Sequence, residues 1–150
     1  MKDWERYEQT AQYLLNEFAT NFGLGTVEGK QIVPAVSGTE YEIDAKGVKI
    51  DGSGFLIVEC RRRNARLDQE AVGALVYRIN ATGAQGGILV TPHQLQEGAR
   101  KVAEHEGVYH VILDKESTTE AYVIEFLDKV IMGFHESIGV SDSVEITWIP

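Results

Sequence analysis

The stretch Phe55–Val58, "FLIV", is apolar at four successive positions, and Glu59-Cys60-Arg61-Arg62-Arg63 follows without a turn residue between them. Side chains on a strand alternate between the two faces of a sheet. A strand that is apolar at odd and even positions alike is therefore covered on both sides, as in the middle of an α/β sheet. This requirement rules out a sheet with one wet face and demands helices above and below it. It also raises a chemical question, because charges at the end of such a strand are costly unless they are paired or hold a cation.

The remaining sequence supplies those helices. Residues 3–19 place Trp4, Tyr7, Ala11, Leu14, Leu15 and Phe18 at helical spacing, and "NFGLG" stops the run. Ile32 to Val36 reads as a short edge strand, since Pro34 has no N–H for a central ladder. Glu40–Ile50 and Phe55–Arg61 flank "DGSG" and read as a β-hairpin. Asp68–Ala81 is a helix with Leu67, Ala71, Val72, Leu75, Val76 and Ile79 on its inner side, ended by "TGAQGG". Gly87–Thr91 is a short buried strand. Thr91 and Pro92 read as the N-cap and first residue of a helix reaching Glu106. Val108–Leu113 is the next strand. Ser117 and Glu120 form a capping box that opens a helix to His135, and residues 144–150 alternate as a last strand. The order predicts one α/β domain over residues 1–150 with a mixed central sheet. The hairpin supplies antiparallel pairing, and the strand–helix–strand units supply parallel pairing.

Composition narrows the function. No apolar run is long enough to span a bilayer, and the charged N-terminus lacks the apolar stretch of a signal peptide. The single cysteine, Cys60, rules out an internal disulfide and fits a reducing cytoplasm. The net charge of −9 argues against non-specific coating of nucleic acid, which needs Lys and Arg to neutralise phosphates. Contact with an anionic polymer must be local, or assisted by metal ions. His93, His105, His110 and His135 show no zinc-ligand spacing, and no Gly-Lys-Ser/Thr follows "TGAQGG" to make a P-loop.

A regular hairpin closing at Asp51–Gly54 pairs Ile50 with Phe55. It then sets Lys46 opposite Glu59 and Asp44 opposite Arg61. All four charges share one side of the ribbon, and the two acids are diagonal neighbours roughly 7–8 Å apart at the backbone. Two readings fit this quartet. One is a solvated hairpin end with ion pairs, in which Lys46 partners Glu59. The other is a divalent-cation site between Asp44 and Glu59, placed at the strand-to-helix corner where α/β sheets bind ligands.

Asp44, fourteen intervening residues and then Glu59-Cys60-Arg61 resemble the signature of the PD-(D/E)XK nuclease superfamily. The surroundings are similar to the Mrr-type restriction endonucleases and the archaeal Holliday-junction resolvases. Tyr7-Glu8 puts an acid after an aromatic on the first helix, Gln69 opens the helix after the hairpin, and "GGILVT" and Gly98-Ala99-Arg100 follow. The likeness covers roughly residues 4–114. Ile43 stands where the motif's proline would be, and Arg61 where its lysine would be. Arginine stays protonated, so Arg61 cannot act as a general base; its role is electrostatic stabilisation of the phosphorane-like transition state.

The resemblance implies a restriction-endonuclease-like core and a metal-dependent endonuclease acting on DNA. Mg²⁺ or Mn²⁺ would be held by Asp44, Glu59, the backbone carbonyl of Cys60, and Glu8 directly or through water. Arg61 faces the phosphate, Gln69 positions water or backbone, and Arg62, Arg63 and Arg66 hold flanking phosphates. The Cys60 thiol, on the opposite face from Glu59, reads as a small core group. Lys46 is the substitute cation if it is not Glu59's ion-pair partner. The apolar stripe of the late helix, Tyr122 to Phe134, offers a homodimer interface, and target choice falls to DNA structure, that dimer or a partner protein. Two rival classes remain: a non-catalytic nucleic-acid-binding module that retains the nuclease fold, and an interaction subunit whose acids form only salt bridges.

Overall fold

The computed structural model describes residues 3–17, 19–62 and 65–113, together with the strands at 137–140 and 144–147. The helix expected from Ser117, its apolar stripe, and Arg63 lie outside the described residues.

Helix α1 (Asp3–Glu17) leads through a short 3-10 turn into β1 (Leu24–Glu28). Strands β2 (Gln31–Pro34) and β3 (Glu40–Ile43) pair as a separate two-stranded ribbon. Then come β4 (Ala45–Lys49), β5 (Phe55–Cys60), α2 (Gln69–Thr82), β6 (Gly86–Thr91), α3 (Glu97–Glu106) and β7 (Val108–Leu113). Two further strands, β8 (Ser137–Val140) and β9 (Val144–Thr147), complete a seven-stranded sheet among the described residues, in the order β1-β4-β5-β6-β7-β9-β8. Pairing is parallel for β5–β6–β7 and antiparallel on either flank. The expected α/β architecture with a mixed sheet is therefore present. Strands β1 and β8 were not expected from the sequence.

The two-faced strand is central, as its composition requires. Leu56 and Val58 of β5 join Ile88 and Val90 of β6 and Tyr7, Ala11, Leu14 and Leu15 of α1 in one core. Ile57 and Leu89, between them in register, face the other way and pack against Val72, Leu75 and Ile79 of α2 and Ala99 and Ala103 of α3. The Tyr7 hydroxyl donates to the Leu113 carbonyl at 2.9 Å and ties α1 across the sheet to the end of β7. The close approach of α2 explains the glycine at position 87 in β6. A Cβ on Gly87 would stand 2.8 Å from Ile79 Cδ1 and 3.3 Å from the Ile57 carbonyl oxygen.

Asp68 caps α2 by accepting from the Ala71 N–H at 3.0 Å, and Gly83 closes the helix in the left-handed conformation. The N-cap expected at Thr91 is not formed, because α3 starts five residues beyond Pro92, at Glu97. Thr91 remains in β6. Its hydroxyl donates to the His93 carbonyl at 2.6 Å and lies 2.7 Å from His110 Nε2. A hydroxyl has one hydrogen, and it is spent on His93; His110 must therefore donate from Nε2. Among the described residues no helix is long and apolar enough to cross a membrane.

Candidate active site

The hairpin differs from its expected form in two ways, and both shape the site. Its register is Val48↔Phe55, Lys46↔Ile57 and Ala45↔Val58, two residues displaced from a closure at Asp51–Gly54. The loop is wider because Lys49 N donates to the Gly54 carbonyl at 2.9 Å and Gly52 N to the Lys49 carbonyl at 3.0 Å. A two-residue slip keeps every side chain on its face but changes its neighbour. Lys46 now opposes Ile57 rather than Glu59, and its ammonium lies 4.8 Å from the Phe55 ring centroid. Extending the ladder by one step sets Asp44 across from Glu59 rather than from Arg61.

The expected strand 40–50 is also not continuous. It breaks at Asp44, with β3 pairing to β2 and β4 pairing to β1 and β5. Ile43 and Ala45, which a regular strand would point the same way, lie in opposite cores. The break leaves β5 without a backbone partner at Cys60 on that side. The adjacent N–H of Arg61 goes to Val90 of β6 at 2.8 Å, and the N–H of Cys60 is capped instead by Asp44 Oδ2 at 2.7 Å. Asp44 thus takes the ladder position that β4 vacates, which holds its carboxylate at the carboxyl end of β5.

Glu59 is buried, at 6% exposure, near the carboxyl end of a central strand. Its Oε1 accepts from Arg61 Nη2 at 3.2 Å and from Arg78 Nη1 at 3.0 Å. Its Oε2 is buried and has no hydrogen-bond partner among the described residues. A buried carboxylate oxygen left in this way costs free energy unless something else satisfies it. Asp44, Glu59, Cys60, Arg61 and Arg78 line one pocket of about 190 Å³, with Glu42, Ile43, Ile57 and Val58 completing its wall.

Glu8 approaches from α1. Burial and, next, the Asp44 carboxylate push its pKa up to about 7, against the opposing pull of Lys30. Lys30 Nζ stands 3.4 Å from Glu8 Oε2 and 3.4 Å from Glu42 Oε1, linking α1 to the β2–β3 ribbon. Burial, followed by the neighbouring carboxylates, holds the Cys60 thiol well above its ordinary range, so the side chain stays protonated and packs against the α1-side core. Its backbone carbonyl is the group left for coordination.

Three expected contributors stand elsewhere. Gln69, exposed at the start of α2, abuts Gly98 of α3 and is not among the pocket-lining residues; a Cβ on Gly98 would meet its Oε1 at 2.6 Å. Arg62 is half-buried beyond the pocket lining. Arg66 is exposed, and its carbonyl accepts from Gln96 Nε2 at 3.3 Å. Two cations at or beside the site were not anticipated. Arg78 interrupts the inner face of α2 three residues after Leu75 and one before Ile79, a charge among core positions that was the available signal. Lys30 sits in a loop with no sequence pattern around it.

An α1 acid beside the acid of a broken hairpin strand, with an acid-x-base triplet ending the central strand, defines a PD-(D/E)XK-type nuclease domain. The profile of a restriction endonuclease family, the Mrr catalytic domain, matches residues 3–119. The chain belongs to that family, whose profile describes a restriction endonuclease. Among solved structures, it resembles the crystal structure of a protein of unknown function, AF1548, at 17% identity and a TM-score of 0.55. The match covers 67% of this chain and 55% of that one, so the chain spans about half of that protein's length. That likeness concerns the fold. No curated protein matches the chain.

Proposed function

We propose that this domain is a metal-dependent endonuclease that hydrolyses DNA phosphodiester bonds, in restriction or in repair and recombination. The observation that carries the reading is the pairing of Asp44 with Glu59 across one pocket, where Glu59 Oε2 is buried and unmatched by any described donor. The donor set suits Mg²⁺ or Mn²⁺. Among the described residues no three His, Cys, Asp or Glu groups form a ready-made cage. Mg²⁺ favours such an arrangement, since it is usually held by one or two carboxylates, with water and substrate phosphate completing its shell.

Asp44, Glu59 Oε2 and the Cys60 carbonyl would hold the cation, with Glu8 joining directly or through water. When bound, the cation lowers the pKa of water and neutralises phosphate charge. In the reaction a water oxygen bonds to phosphorus and gives up a proton to solvent, while the P–O bond to the sugar oxygen breaks and that leaving oxygen takes up a proton from solvent. Arg61 contributes a permanent positive charge beside the phosphate, not a proton acceptor. Glu59 is kept in place by its two arginines, and Asp44 by the Cys60 N–H. Arg62, Arg63 and Arg66 are assigned to flanking phosphates rather than to the reaction. A homodimer would supply a second site for the second strand; sedimentation analysis tests that assembly.

The decisive experiment incubates wild type and Asp44→Ala with linear, nicked and four-way-branched DNA in Mg²⁺ or Mn²⁺. Cleavage by wild type alone, abolished by EDTA, is the expected result. Equal cleavage by both proteins refutes the assignment. Retardation of DNA by wild type without any cleavage would make the domain a binding module on a nuclease fold.

A further inference from the structure

Arg78 stands in the pocket although it belongs to no part of the nuclease motif. It arises from the third turn of α2, and its Nη1 lies 3.0 Å from Glu59 Oε1. Its guanidinium carbon is 5.4 Å from the centroid of the Tyr41 ring on β3. The oxygen it meets is already engaged by Arg61 Nη2 at 3.2 Å. Two guanidiniums thus converge on one carboxylate oxygen while the other oxygen of the same group has no described partner. Neutralising Glu59 requires only one of them.

The second guanidinium has the properties of an anion receptor. The side chain is 32% exposed, so part of the planar fork is open to the pocket it lines. A ring on one side and a carboxylate on the other restrict its rotamers. The ordering entropy is then met in the folded protein rather than on binding, and a fixed guanidinium matches the oxygens of a phosphate in bidentate fashion. The charge count points the same way. The pocket wall carries three carboxylates, Glu42, Asp44 and Glu59, against two guanidiniums, Arg61 and Arg78. Without Arg78 the wall would keep one guanidinium, Arg61, beside its three carboxylates.

We infer that Arg78 is the residue of this site that binds the non-bridging oxygens of the DNA phosphate, anchored for that purpose between Tyr41 and Glu59. The inference deepens the endonuclease reading and rests on it. It assigns to a helix arginine the phosphate contact that the acid-x-base triplet alone would leave to Arg61.

The test uses a fluorescent DNA duplex titrated with Asp44→Asn protein, which silences cleavage, at a series of salt concentrations with Ca²⁺ present. Adding Arg78→Gln should lower the slope of log K against log salt by about 1, the signature of one lost phosphate contact. Arg78→Lys should retain most of that slope. In the otherwise wild-type protein with Mg²⁺, Arg78→Gln should slow cleavage on the order of 100-fold, while calorimetry still detects Mn²⁺ binding, because Arg61 continues to hold Glu59 Oε1. An unchanged salt slope, with cleavage within about twofold of wild type, overturns the inference. So does lost cleavage accompanied by lost Mn²⁺ binding at an unchanged slope, which would make Arg78 only a support for Glu59. Asp44-dependent cleavage by wild type with no effect of Arg78→Gln defeats the inference alone. A wild-type protein that neither binds nor cuts DNA defeats the endonuclease reading with it.

Discussion

Replacing Glu8 by glutamine should stabilise this protein at neutral and alkaline pH while impairing its chemistry. Glu8 shares its surroundings with Asp44, and burial and that neighbour raise its pKa from 4.5 to about 7. A carboxyl whose pKa is raised by folding binds more protons in the folded state between those values. Stability therefore falls as pH rises through this window, and the full deficit is present above it. Integrating both titrations gives a deficit of roughly 0.8 kcal/mol at pH 5 and roughly 3.3 kcal/mol at pH 8. The Glu8 side chain is 19% exposed, so solvent screening trims this only modestly. Urea unfolding of wild type and Glu8→Gln in EDTA, at pH 5 and pH 8, isolates the effect, since every other titrating group is common to both proteins. Wild type should lose about 2.5 kcal/mol more than the variant over that interval. Profiles parallel within about 0.5 kcal/mol would refute the proposed crowding of Glu8 against Asp44.

Other consequences are equally measurable. His110 is buried against Thr91, and burial holds its pKa down to about 4, from 6.5. Its unfolded form thus takes up a proton first as pH falls, and stability should drop by about 2.6 kcal/mol between pH 6.5 and pH 4. A His110 ring resonance titrating near pH 6.5 in the folded protein would contradict this. Gly87→Ala should destabilise by about 1–3 kcal/mol through overpacking against Ile79, and Ile79→Ala in the same chain should recover part of that loss; denaturant titrations that add independently would count against the contact. Tyr7→Phe should cost about 1 kcal/mol by leaving the Leu113 carbonyl without its donor, read as a shift in urea midpoint at constant m-value.

Much of the layered fold was legible before any coordinates. The four-residue apolar run requires a covered central strand, and β5 is one, with Leu56 and Val58 on one core and Ile57 on the other. Gly83 ends α2 and Gly107 ends α3, as their positions after apolar-periodic runs imply. The start of α3 was misplaced because a strand-terminal Thr followed by Pro has the same local chemistry as an N-cap. What separates them is His110, nineteen residues away, which engages the Thr91 hydroxyl within the sheet.

Residue type and order determined by themselves that a helix-covered mixed sheet would form, and that Asp44 and Glu59 would lie near the exit of its central strand. Alternation and periodicity are local, so the chain carries them openly. Tertiary structure alone decided the two-residue register, the break that turns Asp44 onto the Cys60 N–H, and the convergence of Arg78 on Glu59. Each of these depends on how far one element is displaced against another. That displacement is set by loop hydrogen bonds and by close packing across the sheet, and no short stretch of sequence encodes either.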